Sequence, residues 1–232
     1  MNTQPQATLY HYPLDPFCRR LRLALAEHAM PFTLVEEKPW AVSETLLGLN
    51  PAGEVPVYVD EDGTIAAGAL AAGEYVEEKA GAESSLLGET PAERAETRRL
   101  LAWFDGRFYA QVSAIVLMEK GLKRYLPTHM GGGAPDVNRL RMAAQALPEH
   151  LSYIGRLAEE RGLLAGPRLS LADLAAAAHL SVLEYLDALR WEDQESAKLW
   201  YQRIKSRPSF RPLLKDRLPG LTPPGVYAEL DF

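Results

Sequence analysis

Thr8-Leu-Tyr-His-Tyr-Pro-Leu-Asp-Pro-Phe-Cys-Arg-Arg-Leu-Arg-Leu-Ala-Leu-Ala-Glu27 joins a short apolar strand to an amphipathic helix. Asp15 is a favoured N-cap residue, and Pro16 suits the first helical position because it has no N–H to leave unpaired. We therefore expect a strand up to Tyr12 and a helix from Pro16. Residues 32–36 predict a second strand, so the chain opens with a βαβ unit.

The next segment predicts the rest of a small mixed α/β domain. Asp62-Gly63 is a two-residue hairpin signal that joins strands at 57–59 and 64–66. A helix is expected over 69–79, and small and polar residues predict a linker over 81–91. These elements place the α/β domain at residues 1–80.

A second, all-helical domain is expected over residues 92–214, because apolar side chains recur there every three or four positions. Gly131-Gly132-Gly133 lacks the Lys-Ser/Thr of a phosphate loop and predicts a flexible connection. Residues 215–232 contain three prolines and two glycines, which predicts an extended tail without a helix.

The composition excludes several classes of function. A net charge of −6 gives no basic field for a phosphate backbone, so no nucleic acid partner is expected. No apolar run approaches the roughly 18 residues that span a bilayer, so membrane insertion is not expected. The short polar start, Met1 to Ala7, predicts a cytoplasmic protein. Cys18 is the one cysteine and the histidines are scattered, so neither a disulfide nor a metal site is expected.

Four ordered features resemble the glutathione S-transferase family. They are the first βα unit, Asn50-Pro-Ala-Gly-Glu-Val-Pro56, a reciprocal cap from Ser170 to Asp173, and the segment from Trp200 to Phe210. The resemblance covers roughly residues 8–214. It implies a thioredoxin-like N-terminal domain followed by a helical C-terminal domain.

The resemblance also implies where glutathione would bind, and two of those positions are altered here. The family has Ser or Cys at the position of Asp15, where its hydrogen bond stabilises the glutathione thiolate. A carboxylate instead repels that anion by roughly 4 kcal/mol at about 4 Å and an effective dielectric near 20. The family's Glu-Ser pair, which holds the γ-glutamyl group, aligns with Gly68-Ala69. Val55-Pro56 retains the expected cis-proline turn.

A degenerate glutathione site follows from these changes: no catalytic residue, no cofactor, and weak or absent glutathione binding. Other side chains near this position are candidate replacements for the missing Ser or Cys. Tyr10 and Tyr12 lie out of register with the tyrosine of some family classes, and His11 takes that position. Cys18 lies in the first helical turn, where the helix dipole lowers a thiol pKa, but it lacks a partner cysteine. If His11 or Cys18 replaces the usual catalytic group, the alternative function is a glutathione-dependent transferase or isomerase with an atypical active site.

Two exposed features predict contacts with a protein partner. The tail ends in Tyr227, Glu229, Leu230, Asp231 and Phe232, where apolar anchors alternate with acidic groups. These residues either pack on their own domain or bind a partner. Trp40 follows the second strand near the site, and Glu119, next to Lys120, comes late in the first helix of the second domain. Each of these residues either packs locally or contacts the partner.

Within the family, the lost site together with a proline-rich, acidic and apolar C-terminus is similar to members that bind the tubulin-like division protein FtsZ. That resemblance implies a non-enzymatic homodimer that binds FtsZ filaments and organises them into curved bundles at midcell. Family dimers are isologous, and the small residues Ala69, Ala72 and Gly73 are expected at the interface. A ligand-binding or chaperone-like member is a third possibility.

Overall fold

A computed structural model describes residues 6–230. The chain divides into two compact units, and the boundary falls between Leu86 and Leu87. Inside residues 6–86 the elements are β1 (Thr8–His11), α1 (Pro16–Glu27), β2 (Thr33–Glu36), α2 (Glu44–Leu49), β3 (Val57–Val59), β4 (Ile65–Ala67) and α3 (Ala69–Ala80).

The sheet of the first unit has the order β2-β1-β3-β4. Strands β1 and β2 are parallel, with Leu9 opposite Leu34, whereas β1 with β3 and β3 with β4 are antiparallel. The Asp62-Gly63 hairpin is confirmed, since the Asp60 N–H donates to the Thr64 carbonyl at 2.9 Å. The thioredoxin-like domain predicted from the sequence is therefore confirmed.

The second unit is helical, as expected. Its first helical run begins as α4 (Pro91–Ala102), passes through a π-helical segment (Trp103–Ser113), α5 (Ala114–Val116) and a second π-helical segment (Leu117–Leu122). The longer helices that follow are α6 (Val137–Arg161), α7 (Leu171–Tyr185) and α8 (Glu195–Lys205). Short 3-10 turns occur at Thr128–Met130, Pro208–Phe210, Leu213–Lys215 and Gly225–Ala228.

Helix α7 forms the centre of this unit, and each of its residues is buried. The predicted reciprocal cap is confirmed: the Asp173 N–H donates to Ser170 Oγ, and Asp173 Oδ2 accepts from the Ser170 N–H at 3.0 Å. Asp173 Oδ1 also accepts from Leu164 N–H at 2.9 Å and from Trp200 Nε1 at 3.0 Å. One carboxylate therefore ties the start of α7 to the preceding loop and to α8.

The C-terminal segment is less extended than the sequence predicts. Gly225–Ala228 form a 3-10 turn in which the Tyr227 N–H donates to the Pro224 carbonyl at 3.0 Å. A single 3-10 turn tolerates the preceding prolines because Pro224 supplies only an acceptor. The prediction of a tail without any helix is corrected to that extent.

Candidate functional site

The site begins at the first turn of α1, where the backbone of Asp15 is extended (φ −75°, ψ 121°) and Pro16 opens the helix. The Asp15 carboxylate accepts a hydrogen bond from the Cys18 N–H at 2.7 Å. This is the N-cap that the sequence predicts. The same position is the one where the transferase reaction would need a hydrogen-bond donor.

Burial raises the pKa of Asp15 from 3.8 to about 6, although the hydrogen bonds from Cys18 and the charge of Arg20 oppose the shift. A group with this pKa is still mainly ionised at pH 7. The Asp15 carboxyl is therefore mostly negatively charged at pH 7, although the ionised fraction is smaller than that of an exposed Asp.

Cys18 is completely buried, and burial together with the charge of Asp15 raises its pKa well above the usual value. The expectation that the helix dipole lowers this thiol pKa is wrong, because desolvation and the neighbouring carboxylate outweigh the dipole. Cys18 is a protonated, packed side chain, not a nucleophile.

The positions expected to hold the peptide part of glutathione carry few polar side-chain groups. The Val55–Pro56 peptide bond is cis, and the Pro56 carbonyl accepts from the Gly68 N–H at 2.9 Å. Gly68 is the N-cap of α3 with a φ of 87° and offers no side-chain cap, and Ala69 follows as the first helical residue. The γ-glutamyl group would meet neither a carboxylate nor a hydroxyl at these two positions.

The aromatic residues of β1 and the next loop are used for packing. Tyr12 is buried, and its ring meets the Trp40 ring edge-on, with the centroids 5.9 Å apart and an interplanar angle of 83°. His11 is also buried, on the strand. Trp40 is half-buried, so one part of its indole is fixed by Tyr12 while the rest stays accessible. Part of the Trp40 side chain therefore remains accessible to a partner.

Glu119 lies in a different environment from the one expected. Its carboxylate is buried in unit 2, accepts from the Asp136 N–H at 2.8 Å and pairs with Arg139 at 2.9 Å and with Lys123 at 2.5 Å. Burial raises its pKa, but the Asp136 N–H and the two cations outweigh this and the net pKa is lowered. The prediction of a partner contact at Glu119 is corrected: its role is to fix the start of α6.

Tyr227 is likewise corrected, because its ring is completely buried. Its hydroxyl donates to the Leu213 carbonyl at 2.8 Å, and its ring packs edge-on against Tyr185 with the centroids 5.0 Å apart. Glu229 is exposed and Leu230 is half-buried, whereas Asp231 and Phe232 lie outside the described residues. Among the tail residues predicted to contact a partner, Glu229 and Leu230 are the described ones with accessible surface.

The tail also depends on a buried ion pair that sequence reasoning missed. Lys205, at the end of α8, is completely buried and its ammonium donates to Glu184 at 2.8 Å and to the Val226 carbonyl at 3.3 Å. Glu184 also accepts from the Tyr201 hydroxyl at 2.8 Å. A Lys at the C-terminal end of a helix usually indicates a favourable dipole contact, so the sequence contained no signal for this pairing.

The expected dimer positions on α3 divide into two groups. Ala72 is completely buried within its own unit, and Gly73 has little exposed surface of its own. Ala72 is therefore corrected as an interface residue, because its side chain is packed within its own unit. Gly73 stays a prediction, since a Cβ placed there would meet no atom within 4 Å. Ala69 is partly exposed, whereas Leu70, which the sequence analysis passed over, is 74% exposed.

Between residues 6 and 230, no three His, Cys, Asp or Glu side chains lie where they could hold a metal ion. None of the helices over this range has the length and apolar character needed to cross a bilayer.

Comparisons with known proteins place this geometry in a family. The family described as glutathione S-transferase, N-terminal domain, matches residues 16–79. FtsZ-localized protein A of Caulobacter vibrioides is 46% identical over 98% of this chain and 99% of its own length. The crystal structure of a glutathione S-transferase from Rhodospirillum rubrum F11 is 45% identical over 98% of this chain and 100% of that one, with a TM-score of 0.93. The structure of FzlA from C. crescentus is 46% identical over the same shares, with a TM-score of 0.91.

These relatives carry names of two kinds at almost equal identity, so the names alone do not separate an FtsZ-associated protein from a transferase. The family itself follows from identity that extends over nearly the whole chain and from the two-unit fold. This chain belongs to the glutathione S-transferase family and is similar over almost its full length to FtsZ-localized protein A.

Proposed function

We propose that this protein is a non-enzymatic, dimeric adaptor that binds FtsZ filaments and organises them into curved bundles in bacterial cell division. The similarity to FtsZ-localized protein A names the partner. The observation that carries the non-enzymatic part is the Asp15 carboxylate at the start of α1. Its place of action would be the cytoplasm at midcell, where FtsZ filaments assemble.

The pKa of Asp15 argues against thiolate chemistry in either protonation state. The ionised carboxylate repels a thiolate, and the protonated carboxyl can donate to one only if the acid keeps its proton. The pKa of Asp15 is about 6 and that of an ordinary thiol is about 8.5, so the proton resides on the sulfur in preference to the carboxylate by about 3 kcal/mol. The thiol form, which is a poor nucleophile, is favoured throughout.

The backbone of α3 adds to this argument. Gly68 has a φ of 87°, a left-handed conformation that disfavours any residue with a Cβ. A Glu at this position would therefore be strained, even though a Cβ there would meet no atom within 4 Å. Restoring the family's carboxylate would require a backbone change as well as a substitution.

The tail supports the adaptor role because it is anchored close to its end. Tyr227 and the Lys205–Val226 hydrogen bond tie the chain to the core five and six residues before Phe232. Residues after this anchor lose less conformational entropy on binding than a free tail would. Glu229 and Leu230 combine acidic and apolar character, and with Asp231 and Phe232 they form the proposed contact of the second unit. Trp40 is a separate proposed contact of the first unit.

Co-sedimentation with polymerising FtsZ from the same organism tests this assignment. Deleting residues 229–232 removes the proposed contact and leaves Tyr227 and its hydrogen bonds in place. We expect the truncated protein to stay in the supernatant with an unchanged circular dichroism spectrum and dimer mass. The control is Leu199→Glu, which changes an exposed apolar residue on α8 and should pellet like the parent. Equal pelleting of the truncated protein would refute the tail assignment.

A glutathione-dependent transferase or isomerase is the second candidate, favoured by the name of the R. rubrum relative. It predicts retention on immobilised glutathione and turnover of a standard electrophile. The adaptor proposal predicts neither, for the wild type or for Asp15→Asn. Glutathione-dependent turnover by the wild type would refute the non-enzymatic part of the adaptor proposal.

A further inference from the structure

The C-terminal segment is fastened to unit 2 before its end. The Tyr185 hydroxyl donates to the Leu221 carbonyl at 2.8 Å and accepts from the Leu218 N–H at 3.0 Å. Further along the chain, the Lys205 ammonium donates to the Val226 carbonyl at 3.3 Å. This later hydrogen bond comes shortly before the residues that are proposed to contact filaments, so it is placed to control where they leave the core.

The charge on Lys205 is costly to bury. Its side chain is completely buried, and burial lowers the pKa of the ammonium. The charge of Glu184 and its hydrogen bond to Lys205 at 2.8 Å oppose this shift. A buried ion pair often contributes no more stability than apolar side chains of similar volume, because desolvation of both charges offsets their attraction. The packing of α7 against α8 therefore does not by itself account for the two charges.

The ammonium supplies contacts to the tail that an apolar side chain would lack. It carries three N–H donors, and one of them reaches the Val226 carbonyl. It also lies 5.9 Å from the centroid of the Tyr227 ring, within the range of cation–π attraction. The charge of Glu229 opposes the lowering of the Lys205 pKa, so an acidic residue of the proposed contact acts on the same ammonium.

We propose that Lys205 is a positioning residue for the filament contact. By holding Val226 and Tyr227 against the core, it makes Glu229 and Leu230 leave the protein at a fixed place. The segment then loses conformational freedom on folding, and filament binding loses less. This role rests on the proposed function of the tail.

Replacing the charged cluster by apolar side chains tests this role. Lys205→Met alone would leave the Glu184 carboxylate buried without its cation. The test variant therefore combines Glu184→Met, Tyr201→Phe and Lys205→Met, which removes every member of the hydrogen-bonded cluster. Its urea midpoint should match that of the parent. Deuterium exchange at the Tyr227 N–H should become at least about tenfold faster, because a hydrogen bond from a charged group no longer holds the segment.

Co-sedimentation titrations with FtsZ filaments give the second readout. The affinity of the apolar variant for filaments should fall at least about tenfold. A second variant, Glu184→Gln with Lys205→Gln, keeps polar groups in the core, but Gln is shorter than Lys and does not reach Val226. It should behave like the apolar variant. The matched control, Lys198→Met on the same helix, should equal the parent in exchange and in affinity.

The outcomes separate this role from the proposed function. Faster exchange with unchanged filament affinity would overturn the positioning role and leave the adaptor proposal standing. Unchanged exchange, or a lowered urea midpoint in both cluster variants, would overturn it as well, the latter because the pair then serves stability. A parent protein that does not pellet with filaments would refute the proposed function, and the positioning role with it.

Discussion

Asp15 shows how one residue can serve the fold and remove an activity. As an N-cap it supplies an acceptor for the Cys18 N–H, which is the role a Ser or Cys would also fill. Its burial is unfavourable for a charged group, and this desolvation is the main cause of its raised pKa. A neutral hydrogen-bond acceptor of the same shape would cap the helix without burying a charge.

We therefore predict that Asp15→Asn stabilises the protein at neutral pH. The pKa of Asp15 is higher in the folded state, about 6, than the 3.8 of an unperturbed Asp, so the folded state loses stability as the pH rises through this interval. Below pH 4 Asp15 is mainly protonated in both the folded and the unfolded state, so the variant should have the same free energy of unfolding as the wild type. The difference should grow to at most about 3 kcal/mol above pH 6.5.

Urea denaturation of both proteins between pH 4 and pH 8 measures this difference. A constant offset across the range would contradict the raised pKa of Asp15. Other carboxyl groups, such as Glu96 with a pKa lowered to about 2 by its hydrogen bonds to Arg99 and Arg161 against the effect of burial, change both proteins alike and cancel.

Helix starts provide the clearest test among the secondary-structure elements, because α6 and α7 are both capped through an aspartate in different surroundings. Asp136 is exposed and accepts from two N–H groups of α6, whereas Asp173 is buried and accepts from the Ser170 N–H and hydroxyl, the Leu164 N–H and the Trp200 indole. Removing Asp173 leaves buried donors without a partner, which is the costlier loss.

Asp173→Ala should reduce the free energy of unfolding by about 4 kcal/mol, and the matched change Asp136→Ala by about 1 kcal/mol. Chemical denaturation of the two variants gives both values under the same conditions. Similar losses from the two substitutions would show that the buried hydrogen bonds of Asp173 contribute little beyond an ordinary cap.

The sequence predicted elements whose causes are local and missed those with distant partners. The Ser170–Asp173 cap, the Asp62-Gly63 hairpin and the Asp15 cap each depend on residues at most a few positions apart. Glu119 was misjudged because Arg139 and the Asp136 N–H reach it from beyond a long loop. Tyr227 was misjudged for the same reason, since Leu213 and Tyr185 bury it from elsewhere in the unit.

For the whole molecule, bundling requires two filament contacts on one particle, so the proposed function depends on the dimer. The α3 surface supplies an exposed anchor in Leu70, which is 74% exposed in the single chain. Its neighbours Ala69 and Ala71 are small and at least partly exposed, which permits close approach of a second helix. Two tails on one dimer would raise avidity for a repeating filament without any new contact.

Leu70→Glu should yield a monomer, because two carboxylates would face each other across an isologous interface. Light scattering after gel filtration measures the mass. The monomer should still pellet with FtsZ filaments at high speed but should lose the low-speed pelleting that reports bundles. Leu199→Glu, an equal change at another exposed position, should retain both. Low-speed bundles formed by a verified monomer would disprove the bivalent mechanism.

Electron microscopy of FtsZ filaments assembled with the purified wild-type protein tests the central claim most directly. Single filaments should become curved bundles in the absence of glutathione. Filaments that remain single and unchanged, from a preparation that turns over a glutathione-dependent electrophile, would contradict it.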